Sequence, residues 1–283
     1  MDMTNKITFE KSRFSKRLRT MLSVDFRRMF TMPLLYIMVG CSLVMPILIL
    51  VMTTMMDGSV SVNPQTGEET VIEGFDNVWQ IIGTVNEDSE AISESDGSTE
   101  EAPMEMGLTT MCNINMLYFL ISVLVCVFIA GDFRSGYAKN LFTVRAKKGD
   151  YVISKSLVCF VGGALMILAF FIGSMLGGKI AGLPFEMIGF NETNLIFCVM
   201  SKVTLVAVFV PIYLIMSVIA KQKLWLSILL SMMTGMFLFM MIPMLTPLNA
   251  SWMNVVLCVA GGAIFSLGMG AISNQILKKT SLV

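Results

Sequence analysis

The residues Gly173-Ser174-Met175-Leu176-Gly177-Gly178-Lys179 fit most of the phosphate-loop pattern GxxxxGK[ST], whose backbone N–H groups cradle phosphates and whose hydroxyl holds magnesium. Ile180 stands where that hydroxyl belongs, and the segment ends an apolar stretch with no strand before it, so small residues for close helix approach are the better reading. Other chemistry is equally thin. Histidine is absent, which removes the commonest general base and metal ligand. The six cysteines, Cys41, Cys112, Cys126, Cys159, Cys198 and Cys258, stand singly in or beside apolar stretches, without zinc-site or disulfide-framework spacing. Methionine occurs 27 times, with a dense run at Met232, Met233, Met236, Met240, Met241 and Met244. Thioethers suit Cu(I), but without histidine or a cysteine pair this run is expected to pack in lipid or core.

The elements that must position these residues are membrane spans. Of 283 residues, 55% are hydrophobic and 14% charged, against about 25% charged in a soluble domain. About 20 apolar residues cross roughly 30 Å of hydrocarbon. Pro33 to Met56, Leu108 to Ala130, Ile153 to Gly178, Leu195 to Ala220, Leu224 to Leu245 and Trp252 to Ile276 qualify, and none contains Asp, Glu or His. An intramembrane enzyme is therefore not expected. Pro46, Pro211 and Pro243 should kink their spans. The expected architecture is an all-α membrane protein of six transmembrane helices, with residues 1–32 as a cytoplasmic N-terminus and 33–283 as the membrane domain.

Charge sets the direction. The segments before the first span, between the second and third, between the fourth and fifth, and after the sixth hold 18 of the 20 basic residues. The positive-inside rule makes them cytoplasmic, with both termini. The opposite loop, 57–107, has 13 carboxylates between Asp57 and Glu105 and no Lys or Arg there. Lys and Arg balance Asp and Glu at 20 each, giving no sign of a nucleic-acid partner. Lys202 lies in or beside the fourth span. Since Val203 to Ala220 already supplies apolar length, it is expected at the outer interface or snorkelling there, a functional intramembrane lysine being the alternative.

Two basic segments carry pattern. From Phe14 to Phe30, residues Phe14, Leu18, Leu22 and Phe26 recur at helical spacing, with Arg27 and Arg28 largely opposite. This reads as an amphipathic helix on anionic lipid, or else as a disordered topology signal. In the inner loop 131–152, Phe133, Tyr137, Leu141 and Val144 would share one face of a short helix, either awaiting a partner or packing on its own spans.

Taken together, the lead-in helix, six spans, long outer loop and patterned inner loop resemble the permease subunit of a bacterial type-2 ATP-binding-cassette (ABC) transporter over essentially the whole chain. Asp132, Gly136, Lys139, Asn140, Arg145 and Tyr151-Val-Ile-Ser154-Lys155 look like that family's inner-loop positions. The resemblance implies a short cytoplasmic coupling helix, with Asp132, Phe133, Arg134, Gly136, Tyr137, Lys139, Asn140 and Arg145 contacting the ATPase. It also implies two copies of an ABC ATPase subunit, a second or homologous permease, and no cofactor in this chain, ATP and Mg belonging to the partner. An exporter of hydrophobic or amphipathic substrate, such as a peptide or toxin, in the bacterial cell membrane follows, with antimicrobial-peptide immunity among its roles. The alternative is a non-transporting sensor or scaffold whose acidic loop binds a ligand.

The loop residues Glu87, Asp88, Glu90, Glu94, Asp96, Glu100 and Glu101 form either a solvated linker or an attractor for cationic substrate. As an attractor, their neutralisation to Gln or Asn should reduce protection of cells against cationic peptides more than against neutral ones. Equal handling of both at low salt, where the Debye length is longest, would leave a linker.

Overall fold

A computed structural model describes residues 14–62, 69–71, 74–85, 112–143, 148–220, 223–239 and 241–279. Helix α1 (Phe14–Thr31) is separated from α2 (Pro33–Met56) by Met32 in extended conformation, φ −81° and ψ 119°. Pro33 explains the break, because it lacks an N–H and disfavours helix in the residue before it, yet suits the first helical position. Two three-residue strands, β1 (Val60–Val62) and β2 (Glu69–Val71), pair antiparallel beyond α2. The remaining helices are α3 (Leu117–Arg134), α4 (Tyr137–Thr143), α5 (Lys148–Ala181), α6 (Glu192–Ala220), α7 (Leu224–Phe239), the one-turn α8 (Ile242–Leu245) and α9 (Trp252–Lys279).

Five helical stretches among the described residues are long and apolar enough to cross a membrane: Pro33–Met56, Ile114–Arg134, Lys148–Ala181, Glu192–Ala220 and Trp252–Leu277. The fifth expected span, Leu224 to Leu245, is divided: α7 has 16 residues, and the chain turns before α8, whose first turn contains Pro243. Proline's missing donor favours a new helical start over continuation. Pro46 and Pro211 lie inside α2 and α6. The chain after α8 still reaches the far end of the bundle, opposite α1 and α4, where the Leu248 N–H donates to Thr84 O at 2.8 Å.

The phosphate-loop look-alike is a helix-packing surface. On α5, a Cβ at Gly173 would strike the Leu43 carbonyl oxygen of α2, and one at Gly177 would lie 2.8 Å from Ile47 Cα. Only hydrogen fits between the backbones, which gives the dispersion contact that drives helix pairing in lipid, where no hydrophobic gain separates helix from tail. Gly178 likewise receives Val78, in a 3-10 turn (Val78–Ile81) of the far-end loop.

The described end of that loop packs on the bundle. Phe75, Val78, Trp79, Ile81 and Ile82 are buried, and Trp79 meets Phe171, Phe185 and Phe190 with ring centroids 5.7 to 6.5 Å apart. Residues 74–85 thus cap the bundle. Glu87, Asp88, Glu90, Glu94, Asp96, Glu100 and Glu101 lie outside the described residues.

Lys202 departs from expectation. It is fully buried in α6, its ammonium donating to Asn115 Oδ1 at 3.1 Å and Thr246 Oγ1 at 2.8 Å. Tyr118 donates its hydroxyl to the Lys202 carbonyl at 2.8 Å. Neutral acceptors within reach make burial less costly than snorkelling past packed helices.

Gly173→Val should destabilise the α2–α5 pair by about 1–3 kcal/mol, the usual cost of overpacking. Gly268→Ala on α9, where an added Cβ meets nothing within 4 Å, should change stability little. Thermal unfolding of both variants in detergent checks the contrast.

Candidate functional site: an ion-locked helix at the basic end

At the end that gathers the basic residues, α1 lies against α5, and the start of α5 lies beside the end of α3. The apolar stripe of α1 contains one carboxylate: Met21, Asp25 and Met29, each four apart, are its buried residues. Asp25 therefore enters the protein with the methionines. It meets Lys155 of α5, whose Nζ lies 2.8 Å from Asp25 Oδ1 and 2.7 Å from Asp132 Oδ2 of α3. Asp25, Asp132 and Lys155 are all completely buried.

Further groups complete the set. Ser154 Oγ donates to Asp25 Oδ2 at 2.6 Å, and the Tyr151 hydroxyl to Asp132 Oδ2 at 2.9 Å. Arg28 Nη1 lies 2.6 Å from Asp132 Oδ1. The contacts of Lys155 and Arg28 with the carboxylates are ion pairs lying off the ideal hydrogen-bond direction. Two anions face two cations, so the cluster is neutral and its charges need no counterion from lipid. Burial works against the Arg28 charge, yet Asp132, with Tyr137 and Asp25 adding, more than offsets it and raises the guanidinium above its ordinary pKa. A weaker pair, Arg17 Nε to Asp150 Oδ2 at 3.1 Å, ties α1 to the first turn of α5 nearer solvent.

The short helix α4 is mounted on this cluster. Gly136, at φ 72°, turns the chain between α3 and α4 in the left-handed region that glycine enters without a Cβ clash. This break corrects the expected continuous face: Phe133 ends up in α3, Tyr137 opens α4, and Val144 and Arg145 lie outside the described residues. The aromatic side also turns inward. The Arg28 guanidinium sits 4.0 Å from the Tyr137 ring centroid, Lys155 Nζ lies 4.0 Å from that of Phe128, and Phe142 meets Tyr151 edge-on at 5.3 Å. Phe133, Leu141 and Phe142 are half-buried against the core. Burial, and then the Asp25 carboxylate, raise the Tyr137 phenol above its usual pKa, so it remains protonated under its cation. Arg134, Lys139 and Asn140 remain exposed.

Arg28 is likewise turned inward rather than standing with exposed Arg27. Phe14 is exposed, while Leu18, Leu22 and Phe26 are half-buried. Thus part of the α1 apolar stripe covers protein. Asp25 escaped the sequence reading, although the only carboxylate in α1, spaced between Met21 and Met29, was the available signal. Asp132, Tyr151, Ser154 and Lys155 came with the family resemblance, not from spacing. At the other end of the same layer, Lys148 donates to the Leu277 carbonyl and fastens the end of α9 to the start of α5.

Among the described residues no group of three or more His, Cys, Asp or Glu could hold a metal. Every polar group of the cluster faces another side chain, an arrangement that fixes helices. A family model described as ABC-2 family transporter protein matches residues 89–238, just over half of the 283. The chain belongs to the ABC-2 transporter family. The matched stretch of this ABC-2 protein includes α3 through α6 and nearly all of α7, hence Asp132 and Lys155, whereas α1 with Asp25 and Arg28 precedes it. Comparison with curated proteins and with solved structures gives no match. As an ABC-2 protein it is a membrane subunit of an ABC transporter, and the family implies an ATP-binding partner subunit.

Lys155→Met would leave two facing carboxylates buried without their shared cation. Loss of about 3–5 kcal/mol is expected, as for breaking other buried pairs. Arg17→Ala, at the wetter rim, should cost less than about 1 kcal/mol. Thermal unfolding of the purified protein distinguishes the two.

Proposed function

We infer that this ABC-2 subunit is the membrane half of an ATP-driven exporter for hydrophobic or amphipathic substrates, peptides or toxins among them, and that α4 is where it receives the work of ATP hydrolysis. The observation that carries this reading is the mounting of α4. A short helix with Lys139 and Asn140 outward, preceded by exposed Arg134 at the end of α3, is backed by a neutral, largely buried ion cluster joining α1, α3 and α5. A push on such a helix cannot be absorbed locally without breaking buried ion pairs. It is passed instead to the roots of two spans.

On this reading the basic end is cytoplasmic, both termini included, and the acidic loop faces outward in the bacterial cell membrane. Two ATPase copies serve two permease chains, a second copy or a homologue, because an ABC motor closes between two ATPase subunits. ATP and Mg remain with those partners. The exposed Lys16, Arg19 and Arg27 of α1 meet anionic headgroups of membrane lipid. The 13 carboxylates of the outer loop suit a substrate of opposite sign, which favours cationic peptides and a role in self-protection against them.

Reversing the exposed charges with Arg134→Glu and Lys139→Glu together should reduce co-purification of the ATPase at least tenfold. Membrane insertion and unfolding temperature should stay near those of the parent, since neither side chain is buried. Undiminished co-purification would place the ATPase contact elsewhere.

A further inference from the structure

Helix α7 is packed inside out. Its buried residues are Ser227, Ser231 and Gly235, one stripe at four-residue spacing, whereas Trp225, Met233, Met236 and Phe237 face outward and are more than half exposed. The stripe closes against α3 and α6, which also pack on each other. On α6, Tyr213 faces the stripe at Gly235, and Lys202 and Ser217 share its face at spacings of eleven and four residues; all three are fully buried. Cys126 of α3 completes the seam, its Sγ 3.2 Å from Ser231 Oγ. From Lys202 to Ser217, with Val206 and Phe209 between the lysine and the tyrosine, these groups span about 22 Å, most of the roughly 30 Å hydrocarbon depth.

Polar side chains between membrane helices often act as interhelical glue. In this seam the Tyr213, Ser217 and Ser227 hydroxyls are buried with no partner among the described residues, as those of Ser201 and Ser273 also are. Elsewhere Ser42, Ser122 and Ser174 donate to carbonyls of their own helices at 2.6 to 2.8 Å, the inexpensive solution for a membrane hydroxyl. The Tyr213 oxygen instead abuts α7 at Gly235, 2.9 Å from where a Cβ would stand. Lys202 has two neutral acceptors for three donors and no carboxylate among the described residues. Unpaired hydroxyls and a lysine with one spare donor suit a ligand that brings acceptors.

The geometry points to the α3–α6–α7 seam as a substrate path shut in this conformation, opened by α7 moving outward, and taking a chain rich in carbonyl acceptors with an anionic end drawn to Lys202. A linear peptide with a free carboxyl terminus has that chemistry. This deepens the exporter reading and rests on it. The short α7 is the helix proposed to move: the stripe it lifts away is two serines and a glycine, and its larger contacts, Leu238 and the Phe239 ring against Phe119, lie at its end.

The full transporter with its ATPase, reconstituted in vesicles, tests this with two fluorescent amphipathic peptides differing only in a C-terminal carboxylate or amide. With Cys126 as the sole cysteine, a charged methanethiosulfonate that requires water should react at least tenfold faster during ATP hydrolysis than without ATP. A chain with Cys159 alone, fully buried but outside the seam, should stay unreactive. In a Ser231→Cys variant, oxidation to a disulfide with Cys126 should reduce peptide export at least tenfold, reductant should restore it, and ATPase co-purification should not change. Lys202→Met should erase the preference for the carboxylate peptide. Export through the oxidised variant, or Cys126 as inert as Cys159 during turnover, would overturn the seam while leaving the exporter intact. If the unmodified transporter moves neither peptide and hydrolyses no ATP, the exporter reading falls and the seam with it.

Discussion

Lys155 lies between two aspartates that come from parts of the chain over a hundred residues apart, and the basic end of the molecule is organised around that meeting. Asp25 would be an intolerable charge on the inner face of α1 without the ammonium, and Asp132 at the end of α3 would be one too. Together with Arg28 the four groups neutralise one another, and Ser154 and Tyr151 occupy remaining carboxylate positions. Such a cluster contributes little net stability relative to well-packed apolar side chains, because its members must first be stripped of water. What it contributes is geometry. Only one relative placement of α1, α3 and α5 satisfies both carboxylates, so it selects one packing from many that lipid-facing surfaces would accept.

Away from that end, placement depends on close approach. Gly173 and Gly177 let α5 touch the backbone of α2, and Gly163 admits Val206 of α6. These contacts are short-ranged and lose their strength if helices separate by even a methyl group. The bundle thus has two kinds of joint: one electrostatic and specific at the basic end, the other dispersive and distributed along the spans. Helix α7 has no ion pair, and its buried stripe meets its neighbours through serines and a glycine, with the Phe239 ring against Phe119 at its end.

Span positions were legible because about 20 apolar residues admit few other readings, and α1 because its apolar spacing is helical. The partition of Leu224 to Leu245 was not, since hydropathy does not register where a chain turns within an apolar run; Pro243 marked the place without giving its consequence. The fate of Lys202 depended on Asn115 and Thr246, far away in sequence. The aromatic cap on Trp79 was hidden for the opposite reason: its apolar residues, Phe75 to Ile82, lie in a loop whose charge dominates composition. At the candidate site, Asp132, Gly136 and Tyr137 were visible as a pattern, but which way Tyr137 faced depended on Arg28, which helical spacing had placed with Arg27.

Helix α5 is an uninterrupted rod of 34 residues, about 51 Å long, without internal proline. One end carries Lys155, and near the other Phe171 and Gly178 support Trp79 and Val78. A rod of that length, tilted by about 5°, moves its tip by about 4 Å, roughly the rise of three helical residues. The aromatic lid over the far side of the bundle is therefore carried on the same beam as the ion cluster, and a rocking of that beam reaches both surfaces at once, with no relay of side chains between them.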